Sequence, residues 1–163
     1  EIGFCLVGSE MCIRDSATFS EVVNYLDWLG SQLGDEPDRR RRLEQAGRAM
    51  AAQEAHLVDV AINGADGQTG IRDLPGAYIV GGPDNPHREG LVSYAFSHLP
   101  SADIVRELND RGIRTHVRKA DYFSGNILDP IGMDSCIRTS FCHYNSKEEI
   151  LALLKALAEI TQH

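Results

Sequence analysis

Cys136-Ile137-Arg138-Thr139-Ser140-Phe141-Cys142-His143-Tyr144-Asn145-Ser146-Lys147-Glu148-Glu149-Ile150 is the stretch from which the fold can be read. Ile137, Thr139 and Phe141 alternate with Arg138, Ser140 and Cys142, the period-two pattern of a strand whose faces differ. Arg138 therefore points away from the face that carries Ile137 and Phe141. Ser146 and Glu149 fit a capping box, with a hydroxyl at the N-cap and a carboxylate three residues on. Ile150, Leu151, Leu153, Leu154, Leu157 and Ile160 continue as the apolar face of a helix. An exposed arginine at a strand-to-helix corner is the ordinary reading of Arg138, since most charged side chains lie on the surface.

Upstream of this corner, residues 118–130 lack periodicity but are too rich in aromatic and aliphatic side chains for disorder, so they read as a working loop. His116, Arg118, Lys119, Asp121 and Tyr122 supply its polar groups. Before it, Pro100-Ser101-Ala102-Asp103 opens a helix that carries Ile104, Val105 and Leu108 inward and ends at Gly112. A strand from Ile113 to Val117 follows. Residues 77–80 and 91–97 read as two further strands separated by Gly81-Gly82-Pro83-Asp84-Asn85-Pro86, which is loop chemistry. Those glycines lack the spacing and the following helix of a phosphate-binding loop.

Two helical patterns come earlier. Phe19, Val22, Val23, Leu26, Leu29 and Leu33 recur at three- and four-residue steps, widened by Tyr25 and Trp28, with Thr18 as the N-cap. A longer helix runs from Pro37 to Ile62, with Leu43, Ala46, Met50, Leu57, Val58 and Ala61 on one stripe and small residues from Ala46 to Ala55 open to close approach. Residues 63–70 form a turn-rich connection. Residues 1–16 do not fit this pattern. They have no basic segment ahead of the apolar run, so a signal peptide is a poor fit. The run from Cys5 to Ser16 resembles a translated adapter read, and residues 1–16 are treated as an artefact or disordered segment, expected to be poorly packed.

With 163 residues, 42% of them hydrophobic, the chain has room for one domain with a proper core. The net charge of −8 argues against a nucleic-acid partner, and the run Arg39 to Arg42 reads as a solvated helix face. No segment has the apolar length to cross a bilayer. Of the four cysteines, Cys136 and Cys142 lie six apart on one strand, on the same side and too distant to bridge, so they read as reduced cytoplasmic thiols. With His143 they lack the ligand count and spacing of a zinc site.

The strand Arg138-Thr139-Ser140, then Tyr144-Asn145-Ser146-Lys147-Glu148-Glu149, with Gly112-Ile113 and a long loop before it, resembles the C-terminal domain of class V aminotransferases. These are fold-type I enzymes dependent on pyridoxal 5'-phosphate (PLP) and include cysteine desulfurases and selenocysteine lyases. The resemblance covers residues 18–160 and is strongest from Leu91 onward. It implies an α/β chain of α+β type, with a small, mainly antiparallel sheet, helices packed on one side and two long helices ahead of it. Residues 17–63 would be the helical bridge from a missing N-terminal large domain, and residues 64–163 the C-terminal small domain.

In that family the strand arginine binds the α-carboxylate of the amino-acid substrate. The match gives Arg138 that role, with His116, Arg118, Asp121 and Tyr122 as further substrate-binding candidates on the loop. A guanidinium fork suits a carboxylate because two charge-assisted hydrogen bonds form in parallel. The resemblance also implies a cytoplasmic, homodimeric parent enzyme.

Two departures follow. The family's PLP-bearing lysine lies upstream of this chain, so the fragment is expected to bind no PLP covalently and to be inactive alone. Desulfurases also carry a loop cysteine that attacks the substrate sulfur. Here the loop has Lys119-Ala120-Asp121-Tyr122, which puts ordinary desulfuration in doubt. The rival readings are a stand-alone domain that binds small carboxylates through Arg138, and a structural dimerisation module pairing through the alanine-rich face from Ala46 to Ala55.

Overall fold

The computed structural model describes the backbone of residues 2–162 and the side chains of residues 17–162. The chain divides into two compact units, Glu1–Met50 and Ala51–His163.

The second unit is organised on a four-stranded sheet in the order β3-β4-β6-β5, antiparallel throughout. Its strands are β3 (Ala77–Ile79), β4 (Leu91–Phe96), β5 (His116–Lys119) and β6 (Ser135–Ser140). Helix α3 (Ser101–Asp110) connects β4 to β5. Both of those strands run antiparallel to β6, which lies between them, so the expected strand-helix-strand crossover is a split one. β5 starts three residues later than the sequence pattern places it. The intervening chain is used to close α3: the Ile113 N–H donates to the Leu108 carbonyl (2.8 Å) and the Gly112 N–H to that of Asn109 (2.9 Å). Gly112 holds a positive φ of 79° there, the usual way for a helix to end.

Helix α5 (Lys147–Thr161) begins with the expected capping box. The Ser146 Oγ accepts from the Glu149 N–H (3.3 Å), and the Glu149 carboxylate accepts from the Ser146 N–H (2.9 Å). The Ser146 N–H holds the Glu149 carboxyl below its usual pKa range, with help from the Asn145 amide. Past the cap, Ile150, Leu153, Leu154, Leu157 and Ile160 are buried. They share one core with Ile104 and Leu108 of α3, and with Leu57, Val58 and Ala61 near the end of helix α2 (Arg39–Asn63). From the sheet the same core takes Val92, Tyr94 and Phe96 of β4 and Ile137 of β6. The helices thus cover one face of the sheet, the face predicted to carry Ile137 and Phe141. Tyr94 is wholly buried. Its hydroxyl lies 3.1 Å from Thr139 Oγ1, which satisfies the polar end of a core aromatic, while burial pushes its pKa up.

The turn-rich connection after α2 is a two-residue-loop hairpin of β1 (Gly64–Ala65) and β2 (Gln68–Thr69). Asp66 (φ 51°) and Gly67 (φ 82°) form its turn, with both central residues left-handed as a type I′ turn demands.

In the first unit, helix α1 (Ile2–Gln32) is continuous through Thr18, so that residue does not cap a helix start. The packing expected of residues 1–16, and the fate of Cys5 and Cys12, lie outside the described side chains. Phe19, Val22, Tyr25, Trp28 and Leu33 are exposed. Helix α2 starts at Arg39 and not at Pro37, because Asp38 accepts from the Arg41 N–H (2.9 Å) and acts as its cap. Three of the arginines 39–42 are solvated as expected. The fourth, Arg42, is 20% exposed and donates to Asp27 (2.6 Å) and to the Glu36 and Pro37 carbonyls, clamping the turn between the two helices.

Candidate functional site

The sheet face opposite the helices bears the site. Strand parity puts Cys136 and Arg138 of β6 on it, and cross-strand pairing sets Ser93 of β4 and His116 of β5 on either side of Arg138. One pair along, Arg118 stands opposite Cys136. Beside this face the 118–130 segment forms a lobe containing the short helix α4 (Gly125–Leu128) and a 3₁₀ turn at Asp129–Ile131. The Asp121 carboxylate holds the lobe's first turn by accepting from the Phe123 (3.0 Å) and Ser124 (2.9 Å) N–H groups. Those hydrogen bonds keep its pKa low, and the nearby Arg118 charge adds to the effect.

Sheet and lobe enclose a cleft of about 490 Å³. Ser93, Cys136 and Arg138 reach it from the sheet, Phe123, Ile127 and Leu128 from the lobe, and Val80 and Leu91 from the flanking chain. Arg88, Arg118 and Ser124 complete its polar lining. Arg138 is half-buried, and its Nε is buried without a hydrogen-bond partner among the described residues. A buried guanidinium donor without an acceptor is rare enough to call for an explanation.

Of the residues singled out in the sequence, Arg138 and Arg118 meet in this cleft. His116 is exposed beside Arg138, whereas Asp121 and Tyr122 are exposed on the lobe and do not line the cavity. Tyr122 packs edge-on against Phe123, with ring centroids 5.2 Å apart. Arg88 went unnoticed in the sequence. Its Nη2 donates to the carbonyls of Val80 (3.0 Å) and Gly82 (2.6 Å), pinning the glycine-rich loop against the cleft, and burial lowers its pKa. Ser93 was also missed, because its place opposite Arg138 depends on pairing between distant strands.

Cys136 and Cys142 are free thiols. Burial raises the Cys136 pKa, while a hydrogen bond from Ser93 and the charges of Arg118 and Arg138 pull the other way. β6 ends at Ser140, so strand parity does not extend to Cys142, which lies outside the cleft. Among the described residues no cluster of potential metal ligands forms, and no helix is long and apolar enough to cross a membrane.

A small antiparallel sheet covered by helices on one face, with an arginine-lined cleft on the other, is thus an α+β domain. Residues 46–153, more than half of the chain, match the Aminotransferase class-V family, and the chain belongs to that family. It is 31% identical over 150 residues to a probable cysteine desulfurase of Halobacterium salinarum, spanning 92% of this chain and 30% of that protein. To the cysteine desulfurase of Haloferax volcanii it is 26% identical over 145 residues, spanning 89% of this chain and 28% of the relative. The fold matches the apo cysteine desulfurase of Thermococcus onnurineus NA1 with a TM-score of 0.62 at 22% identity, over 76% of this chain and 29% of that one. It also matches the cysteine desulfurase CsdA of Escherichia coli, with a TM-score of 0.58 at 17% identity, over 79% and 32%. The chain therefore spans less than a third of the length of these proteins.

The family implies PLP, held through a lysine Schiff base. The residues present do not fit that bond. Lys147 is paired with Asp66 (2.9 Å), Lys119 and Lys155 are exposed, and none of the three lines the cleft.

Proposed function

We propose that this chain is the C-terminal small domain of a PLP-dependent, cysteine desulfurase-like enzyme, in which Arg138 binds the substrate α-carboxylate and the 118–130 lobe closes the active site. The observation that carries this reading is the Arg138 guanidinium, half-buried in a cleft and left without an internal acid among the described residues. Holding a carboxylate there fixes the orientation of the substrate's Cα bonds, and orientation is the contribution such a residue makes to rate. Arg118 assists it, Asp121 keeps the lobe in shape, and His116 and Tyr122 stand at the entrance. The PLP-bearing lysine belongs to a large domain outside this chain, and the complete enzyme is a cytoplasmic homodimer. The domain alone is inactive.

Incubating the chain with PLP, reducing with borohydride and weighing the product tests whether the cofactor's lysine lies outside this chain. The expected outcome is no single stoichiometric adduct. One adduct on one lysine would contradict it and make the chain a cofactor-binding unit in its own right.

A further inference from the structure

We infer that Arg88 is a positioning residue: its guanidinium stands in the gap where β3 and β4 part and fixes the wall beside which Arg138 holds a carboxylate. The inference rests on the reading of Arg138 as the α-carboxylate clamp.

The strand register locates the gap. Ile79 pairs with Tyr94, and the step after it keeps one bond of the ladder, from the Val80 N–H to the Ser93 carbonyl (2.9 Å). Continued further, the same register would set Gly82 opposite Leu91. The chain turns away instead. The Gly82 N–H donates to the Ile79 carbonyl (3.1 Å), and Gly81 and Gly82 both hold a positive φ, 78° and 77°. Glycine accepts such a conformation twice in succession at little steric cost. The carbonyls of Val80 and Gly82 then converge on Arg88 Nη2, which donates to them at 3.0 and 2.6 Å. On the other strand the Leu91 carbonyl accepts a weaker contact from Nη1 at 3.4 Å. One guanidinium therefore spans both chains where the ladder stops.

The residues tied down in this way surround Arg138. Ser93 is its cross-strand partner, and Leu91 lies two residues back on the same face of β4. Val80, Leu91 and Ser93 all line the cleft. The Arg138 Nε is buried, so these neighbours restrict where its fork can point. A wall fixed before a ligand arrives spares part of the ordering cost of binding. The planar fork suits Arg88 to the task, because it sends donors in fixed directions to acceptors on two chains, which a lysine ammonium cannot do. Arg88 also adds positive charge to the cleft, so the test has to separate its field from its fork.

The full 163-residue chain is compared with Arg88→Lys, which keeps the charge and loses the fork, and with Arg88→Gln, which loses both. Calorimetric titration gives the affinity for butyrate. NMR gives hydrogen exchange at the Val80 N–H and, as a reference outside the loop, at the Ile113 N–H that closes α3. Both variants are expected to bind butyrate about tenfold more weakly and to exchange Val80 about tenfold faster, with Ile113 unchanged. Circular dichroism checks folding, and if Arg88→Gln did not fold, Arg88→Lys would decide. Binding by Arg88→Lys as tight as that of the unchanged chain would overturn the inference and leave Arg88 a source of charge, with the clamp intact. Unchanged Val80 exchange would overturn it as well, and so would equal acceleration at Ile113, since Arg88 would then hold the whole domain and not the wall. Butyrate that binds Arg138→Gln undiminished, or that fails to bind the unchanged chain, would overturn the clamp and this inference with it.

Discussion

Arg138→Ala, made in an enzyme that carries this chain as its C-terminal portion, is expected to lower kcat/KM about 100-fold. The two charge-assisted hydrogen bonds between a guanidinium and a carboxylate are together worth about 3 kcal/mol, and each 1.4 kcal/mol is a factor of ten. KM should rise, because the clamp holds the substrate before reaction as well as during it. The kcat value should fall too, because a substrate free to turn about its Cα presents the reacting bond less often. Arg138→Lys keeps the charge and loses the fork, so it should recover only part of the activity. Steady-state kinetics on the three proteins would check this, and unchanged constants in Arg138→Ala would remove the residue from the site. Arg138 is half-buried on the open face and contributes nothing to the main core, so a loss of activity would not be a disguised loss of fold.

Leu154→Ala should have the largest effect on stability. Leu154 is fully buried on α5, within the core formed with β4, β6 and α3. Truncation removes transfer free energy and leaves a cavity that the surrounding helices and sheet can fill only in part, at a cost of about 2–5 kcal/mol. Lys155→Ala, one residue on and exposed, should change stability by less than about 0.5 kcal/mol. Urea denaturation of both variants would decide. If they unfolded at the same urea concentration, α5 would not be packed on the sheet as described. Because the second unit places α5 directly after β6, such a result would also loosen the strand that positions Arg138.

The parts of the fold that were legible in the sequence are those written in local spacing. The Ile137 and Thr139 alternation, the Ser146 and Glu149 cap, and the α5 stripe each lie within a few residues, and the structure has all of them. What was not legible depends on partners far along the chain. β6 stops at Ser140 because its neighbour β4 begins at Leu91; beyond that pair, the Phe141 N–H goes to the Gly90 carbonyl (2.7 Å) and the Cys142 N–H to the Asn145 side chain (2.8 Å). Nothing in the run Ser140-Phe141-Cys142 announces this. β5 starts late for a similar reason, since residues after Gly112 turn back to close α3. The short helix α4 covers too few residues to show a period.

The site divides the same way. Arg138 could be placed on the second face of its strand by parity alone. Arg88 could not, because its position in the cleft is set by carbonyls that become neighbours only when the glycine-rich loop closes. Cys136 shares that face by the same parity, whereas Ser93 joins the cleft through pairing with a distant strand, which is not a property of its own stretch of sequence. Asp121 was singled out for its charge, and its carboxylate is engaged in holding a turn.

On the proposed reading, the Arg138 guanidinium receives a carboxylate on the uncovered face of the sheet. The most direct measurement is the NMR signal of its Nε–H, assigned by comparison with Arg138→Gln and followed as butyrate is added to the ¹⁵N-labelled chain. The expected result is a saturable shift confined to Arg138 and its neighbours in the cleft, absent when butanol replaces butyrate. An Arg138 signal that stays put while butyrate saturates the protein elsewhere, or that does not respond at any concentration, would contradict it.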